Sequence, residues 1–274
     1  FSRGPKDATL ATLGAELAWA DLTRQHEVSW FDGVWNEVYV LAAVVGVPNV
    51  ERDPWRTVVV NAQIALNAGH WFRASDARVF FASTSEAYAG TDVPIPTPED
   101  VPVAIRDVTE PRAAYAASKI LGEAAMLTCG ARVTVGRFHN IYGPRMGTDH
   151  VIPDLCVRFA RHDDPVRLLG PECQRAFCYV TDAVRAMRGL MGTPAAVGQI
   201  VNIGDDRREV SVMDLAEELS ALPGHRPTWD VRPAPAGSVT RRCPDLTKLR
   251  TLTGYAPQVA LADGLRETYA WYCR

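Results

Sequence analysis

An α/β fold built on a doubly wound parallel sheet is what this 274-residue sequence predicts, and three observations point there. Short apolar runs alternate with helix-like segments through the first two-thirds of the chain, the pattern of parallel βαβ units. The clearest strand candidate, residues 37–43 (E-V-Y-V-L-A-A), is almost wholly apolar, as a strand covered on both faces must be. The length suits one large domain or two unequal ones.

Taken in order, residues 16–20 are a short strand candidate ending at Asp21, followed by the strand at 37–43. Residues 54–74 read as a helix, with Pro54 tolerated in its first turn, and 78–83 as the next buried strand. Four prolines and scattered acids make 89–108 a surface loop. Residues 113–129, rich in alanine, leucine and glutamate, form a helix stopped by Gly130, and 133–138 a further strand. Beyond Tyr142-Gly143-Pro144 the pattern loosens: 150–162 helical, 166–169 and 177–180 extended. A helix follows at 181–191, capped by Thr181 or Asp182. Residues 199–203 are a last buried strand; 212–222 and 260–271 are amphipathic helices. The proline-rich stretch 227–235 reads as an ordered loop.

Composition narrows the function. With 47% hydrophobic and 22% charged residues the chain can bury a sizeable core. Twenty-nine basic against 32 acidic residues, net charge −3, carry no nucleic-acid footprint and no acidic tail. The longest apolar run, residues 38–50, is broken by Gly46, Pro48 and Asn49 and falls short of the roughly 18 residues of a membrane span. No signal segment opens the chain. The six cysteines form no C-x-x-C and no zinc-ligand spacing, so reduced, structural thiols and no metal are expected in a soluble, cytoplasmic protein. Because the sequence begins with Phe1, a leading segment is expected to have been removed or to be missing.

Chemistry concentrates in three blocks. In Tyr115-Ala116-Ala117-Ser118-Lys119 the phenol and the ammonium sit at i and i+4 and share one helical face. A free tyrosine titrates near 10, and a neighbouring positive charge favours its phenolate, as a general base at neutral pH requires. Upstream, a buried strand ends in Ser83-Thr84-Ser85-Glu86. Carboxyl ends of parallel strands are where ligands lie, so Ser83, Thr84 and Glu86 are expected in the crevice with Tyr115. A third strand ends in Arg137-Phe138-His139-Asn140-Ile141-Tyr142-Gly143-Pro144 at the same level.

These blocks, with Ala20-Asp21-Leu22, Leu41-Ala42-Ala43, Asn61, Gln174-Arg175-Ala176-Phe177, Val201-Asn202-Ile203-Gly204, Arg242-Cys243-Pro244-Asp245 and Gly254-Tyr255-Ala256-Pro257 in one order, resemble an extended short-chain dehydrogenase/reductase of the nucleotide-sugar epimerase/dehydratase family. The resemblance implies a Rossmann-like dinucleotide-binding domain over residues 1–150 and 176–205, its first strand-helix-strand missing. It also implies a smaller sugar-nucleotide-binding domain over 151–175 and 206–274. NAD is the implied cofactor. Asp21 and Leu22 would border its adenine, and Leu41, Ala42, Ala43 and Ser83 would line its path. Tyr115 would be the base, and Lys119 its electrostatic partner and the holder of the nicotinamide ribose. Thr84 would assist at the sugar hydroxyl, while Glu86 would act as acid/base on the ring or accept hydrogen bonds from the loop. Ser85 and Asn140 would touch the sugar nucleotide, and Arg175 with Arg241 or Arg242 would grip its diphosphate. A homodimer through a four-helix interface is implied, with Ile120, Leu121 and Met126 facing outward.

Two departures qualify the resemblance. No G-x-x-G-x-x-G occurs, so the glycine-rich phosphate turn is absent, and Phe1-Ser2-Arg3-Gly4 resembles the stretch after the family's second strand, leaving about 35 residues unaccounted for. Val40 stands where many relatives carry histidine. The shared chemistry passes through a keto sugar. Thr84-Ser85-Glu86 lacks the aspartic acid of sugar dehydratases and is similar to UDP-glucuronate decarboxylases. The 137–144 block is similar to GDP-mannose 3,5-epimerase, whose cysteine, expected near Ser85, is missing. Epimerisation is the leading expectation, with decarboxylation, dehydration and a non-catalytic binding protein as alternatives.

Overall fold

The computed structural model describes residues 13–16, 18–28, 33–235 and 237–273; the stretch Phe1–Gly4 and Leu17 lie outside them. Residues 16 and 18–20 form no strand, contrary to expectation. The elements run β1 (Glu37–Val40), α1 (Val47–Arg52), α2 (Pro54–Phe72), β2 (Arg78–Thr84), α3 (Ala113–Thr128), β3 (Arg132–Phe138), β4 (Ile141–Tyr142), α4 (Val151–Ala160), β5 (Val166–Leu169), β6 (Gln174–Ala176), β7 (Cys178–Tyr179), α5 (Val180–Gly192), β8 (Ile200–Ile203), β9 (Glu209–Ser211), α6 (Val212–Ser220), β10 (Trp229–Arg232), β11 (Arg241–Arg242), α7 (Thr247–Thr253) and α8 (Leu261–Tyr272).

β1, β2, β3 and β8 lie in that order in one parallel sheet. Alternation along β2 separates its two faces. Val79 and Phe81 pack with Ile64, Ala65, Ala68 and Met126 of α2 and α3. Phe80 packs on the opposite side with Ala183, Ala186 and Leu190 of α5 and with Leu246 and Leu249 beside and within α7. Helices on both faces make the sheet doubly wound and Rossmann-like, and they explain the apolar runs 38–40 and 79–82 within its strands. A separate core around Ile152, Leu155, Phe159, Leu215, Leu219 and Leu265 joins α4, α6 and α8.

Several elements differ from the sequence reading. β1 stops at Val40, because the Asn61 side chain accepts from Val44 N (2.7 Å) and donates to Val44 O (3.1 Å), taking the backbone groups a longer strand would pair. Neither Thr181 nor Asp182 caps α5: the N-cap is Tyr179. Asp182 turns inward and accepts from Gln258 N (2.9 Å) and Val259 N (3.0 Å). The stretch 227–235 contains β10, which pairs in parallel with β5. α7, absent from the sequence reading, packs against the main sheet although it lies within the range assigned to the second domain. Met126 is fully buried between α3 and β2 rather than on an outer face. Among the described residues no helix is long and apolar enough to cross a membrane.

Candidate active site

The carboxyl ends of β2, β3 and β8 bring Ser83, Arg137 and Asn202 side by side in register, and α3 packs over β2 and β3. Lys119 is 4% exposed. Its Nζ donates to the Ala82 carbonyl at 2.7 Å and sits 5.0 Å from the centre of the Phe81 ring. Burial lowers its pKa to about 8, against an opposing pull upward from Glu123. Tyr115 is half-buried in the first turn of the same helix. Asn61, which fixes Val44, also donates to Ser118 Oγ at 3.2 Å, so the segment after β1 is tied to the helix between Tyr115 and Lys119. Leu41, just past β1, is 53% exposed; Ala42 is exposed and Ala43 half-buried. Asp21 accepts from Thr23 N at 3.0 Å, and Asn67 of α2 donates to the Leu22 carbonyl at 2.9 Å.

Ser83 does not face the crevice. Its hydroxyl donates to the Glu123 carboxylate, because strand alternation puts residue 83 on the α2–α3 face with residue 81, and residue 84 on the other. Thr84 Oγ1 accepts from Glu86 N at 3.2 Å and so caps the turn 85–88, leaving its hydroxyl proton to donate.

Two adjoining clefts open beside this platform. One, of about 560 Å³, is lined by Ser85, Glu86 and Tyr88, by Ala113 and Ala116 of α3, by His139, and by Arg242. Segments 89–95 and 104–107 form its rim, drawn together at Gly90, where a Cβ would lie 2.0 Å from the Ala104 carbonyl oxygen. The cleft reaches α3 at Ala113 and Ala116; Tyr115 and Lys119 are not among its lining residues. The other, of about 320 Å³, is lined by Asn140, Tyr142, Met146, His150, Arg175 and Phe177. Glu86, Arg112 and Arg242 border both.

At that junction Arg242 Nη1 donates to Glu86 Oε1 at 2.7 Å. The guanidinium holds the Glu86 carboxyl below its usual range, outweighing partial burial. Arg241, the alternative to Arg242 in the sequence reading, is paired instead with Glu209 at 2.5 Å. Arg175 donates to the carbonyls of Gln174 (2.8 Å) and Val239, which steadies the strap 237–240 over both clefts. Asn140, at φ +44°, donates to the Ala176 carbonyl at 3.0 Å.

Sequence reasoning missed a buried polar knot behind the first cleft. Asn202 Nδ2 donates to Thr97 O (2.9 Å) and Asp245 O (3.3 Å), and its backbone N–H donates to Glu99 at 2.8 Å. Its Oδ1 accepts from Tyr88 Oη at 2.9 Å and contacts His139 Nε2 at 3.1 Å. Two carbonyl acceptors fix the amide's orientation, so Oδ1 is the acceptor and His139 Nε2 carries the proton. Burial and the nearby arginines lower the His139 pKa to about 3, which keeps the ring neutral. Its Nδ1 is therefore a bare acceptor without a hydrogen-bond partner. Arg137 lies 4.7 Å from the centre of the Tyr88 ring and forms a two-pronged pair with Glu123 at 2.9 and 2.6 Å. A buried acid four residues beyond Lys119 and an arginine at a strand end were the available signals. Among the described residues no cluster of three or more His, Cys, Asp or Glu could hold a metal.

The chain is 32% identical over 265 residues to a UDP-N-acetyl-alpha-D-glucosaminuronate decarboxylase of Bacillus cytotoxicus, covering 92% of this chain and 78% of that one. It is 30% identical over 246 residues to UDP-glucuronic acid decarboxylase 1 of Danio rerio, covering 87% of this chain but 57% of the relative's length. Among solved structures, UDP-glucose 4-epimerase of Thermotoga maritima, with UDP-glucose, superposes with a TM-score of 0.77 at 25% identity, over 92% of this chain and 82% of that one. Residues 2–204 match the NAD dependent epimerase/dehydratase family. With the parallel sheet, the helix bearing Tyr115 and Lys119, and the cleft at the strand ends, this match places the chain in the NAD dependent epimerase/dehydratase family.

Proposed function

We propose that this chain oxidises a ring carbon of a nucleotide-diphosphate sugar bearing a carboxylate, and that the keto sugar then loses carbon dioxide. The ion pair between Glu86 and Arg242 at the junction of the two clefts carries this reading. A carboxyl group held ionised by a guanidinium is a poor proton donor, which disfavours water elimination. No cysteine stands at Ser85 to enolise the ring, which disfavours inversion at C3 or C5. A fixed arginine bordering both clefts suits a sugar carboxylate or a phosphate, and the two decarboxylase relatives point the same way.

The residues present fit one half of NAD. A half-exposed Leu41 at the sheet's edge, a phenol and a buried ammonium suit a nicotinamide and its ribose. No glycine-rich turn for the diphosphate occurs in the sequence. When bound, NAD accepts the hydrogen and electron pair from the sugar carbon. Tyr115 takes the hydroxyl proton, and Lys119 keeps a positive charge beside the phenolate. Thr84 donates to the sugar oxygen, first as alcohol and then as ketone. In the β-keto acid, Arg242 orients the carboxylate; the carbon–carbon bond breaks, and its electron pair moves onto the ketone oxygen, where Thr84 steadies the enolate. A water proton then fills the carbon that lost carbon dioxide, and the hydride taken up at the start would return to the ketone carbon with the proton held by Tyr115, giving the pentose. Asn140 and Arg175 hold the nucleotide diphosphate, with Ser85 against the sugar.

Simple inversion at C4 is the second reading. The roomy 560 Å³ cleft favours it, since a keto sugar must turn over there before reduction, and the T. maritima structure is an epimerase. The two helices α2 and α3 expose Trp55, Val59, Leu66 and Leu121, and we place a homodimer contact on that face. Six unpaired thiols fit a cytoplasmic setting.

Incubation with UDP-, GDP-, CDP- and dTDP-sugars, uronic acids included, followed by NMR and carbon dioxide capture, tests the proposal. Carbon dioxide with a pentose product is expected. A C4 epimer without carbon dioxide selects the second reading, and no change in any sugar overturns both. Tyr115→Phe is expected to lower turnover about 100-fold or more while leaving sugar-nucleotide affinity within about twofold.

A further inference from the structure

Tyr115, Lys119 and Glu123 recur at intervals of four along α3 and stack on one stripe of the helix. The mechanism uses the first two. Glu123, only 4% exposed, is gripped by Arg137 through Nε and Nη2 at 2.9 and 2.6 Å, and by the Ser83 hydroxyl. One turn earlier, Lys119 holds the carbonyl of Ala82. Two successive residues of β2 are thus fastened to α3, immediately before the chain turns at Thr84 and brings Ser85 and Glu86 to the first cleft.

We propose that Glu123 is a positioning residue for the Tyr115–Lys119 pair: through Ser83 and Arg137 its carboxylate fixes the end of β2 against α3 and sets the net charge beside the phenol. The proposal rests on Tyr115 acting as the base. Lys119 and Arg137 contribute two positive charges to this interface and Glu123 removes one. Apart from Tyr88, the other ionisable groups on these elements are exposed or paired away from the cluster. On α2, Arg56 and His70 are exposed. On β2, Arg78 is paired with Glu37 at the far end, and on β3 Arg132 is exposed at its own far end. In the turn 85–88, Glu86 is paired with Arg242; Tyr88 is the exception, its ring facing Arg137 at 4.7 Å while its hydroxyl, bonded to Asn202, stays protonated because burial pushes its pKa up to about 12. Burial lowers the Lys119 pKa, and Glu123 is the charged group that opposes the fall.

Removing the charge of Glu123 therefore lowers the titration of both Lys119 and Tyr115. Eight residues of helix separate Glu123 from Tyr115 by about 12 Å, which at an effective dielectric of about 20 shifts the phenol by about half to one pH unit. In the NAD-supplied protein, Glu123→Gln is expected to move the acid limb of kcat/KM down by that amount. It should lower kcat about tenfold with KM within about twofold, and Lys119, followed by 15N NMR, should titrate below about 8. Glu123→Asp should restore the limb. An unmoved limb and an unmoved Lys119 overturn the proposal, even if stability falls, because a purely structural role predicts that result. Should Glu123→Gln unfold around the unpaired Arg137, Glu123→Gln/Arg137→Met takes its place. Its net charge equals that of the wild type, so the limb should stay while kcat still falls. Wild-type kcat in that variant, or failure of it to fold as well, overturns the proposal. Undiminished turnover in Tyr115→Phe sinks the base reading instead, and the Lys119 titration, which needs no turnover, still reports on Glu123.

Discussion

Lys119 carries a charge into an interface with almost no access to water, and Lys119→Met measures what that charge costs. Its pKa falls from 10.5 to about 8 on folding, with desolvation as the main cause. At about 1.4 kcal/mol per unit, the buried ammonium costs the folded state about 3 kcal/mol at neutral pH. Methionine removes that cost and fills a similar volume, but it leaves the Ala82 carbonyl without the donor it has at 2.7 Å, a loss of about 1–3 kcal/mol. The variant should therefore be more stable than wild type at pH 7 by about 1 kcal/mol. The sign changes with pH. The folded state has the lower pKa, so between about 8 and 10.5 the unfolded chain binds more protons and wild-type stability rises. Above that window the penalty is gone, and the methionine variant should be the weaker by about 2 kcal/mol. Urea unfolding from pH 7 to 10 reads both curves; they should cross within the window. Parallel curves would refute the reasoning, whichever protein were the more stable. Turnover should fall about 100-fold or more at every pH.

Three further outcomes are expected. Gly264→Ala places a Cβ 2.1 Å from the Tyr142 hydroxyl and 2.8 Å from the Tyr179 ring. It should destabilise by about 2–4 kcal/mol after the helix-propensity gain, seen as a fall of about 5–12 °C in Tm, and weaken sugar-nucleotide binding through Tyr142. Asn61→Ala loses both bonds to Val44 and the one to Ser118; calorimetry should show about 1–3 kcal/mol less stability and weaker NAD binding with sugar-nucleotide affinity unchanged. Trp55→Glu/Leu66→Glu, on side chains 78% and 51% exposed, should yield a monomer by sedimentation with folding intact; an unchanged assembly would place the contact elsewhere.

The features legible from sequence were those with a strong local signature. Residues 78–83 read as a buried strand because both faces are covered, and the Tyr115–Lys119 helix read clearly from its composition and its glycine stop. Other features depend on distant partners. Asp182 looks like a helix cap, yet the backbone of residues 258 and 259 takes its carboxylate. Ser83 looks like a crevice hydroxyl, yet the pleat turns it toward Glu123. Met126 looks like an outer residue, but β2 passes directly beneath it. β10 hides in a proline-rich stretch because its partner, β5, lies about 60 residues upstream, beyond any local pattern. Arg242 could be named from its block, but its pairing with Glu86 across 156 positions could not.

Asn202 anchors the strand end to Thr97, Glu99, Asp245, Tyr88 and His139 at once, and Thr97 N in turn bonds Cys243 O at 2.9 Å. A wall stitched together from such remote parts of the chain behaves as masonry: loosening one stone disturbs every neighbour. The lip made by residues 90–93 and 104–107 is held by thinner ties at the surface, Thr91 Oγ1 to Pro102 O at 3.3 Å and an exposed Arg106–Asp92 pair at 3.7 Å. Adaptation to a different carbohydrate therefore has its freedom at the lip, where replacements alter shape and charge without reaching the foundation that aligns the reacting groups.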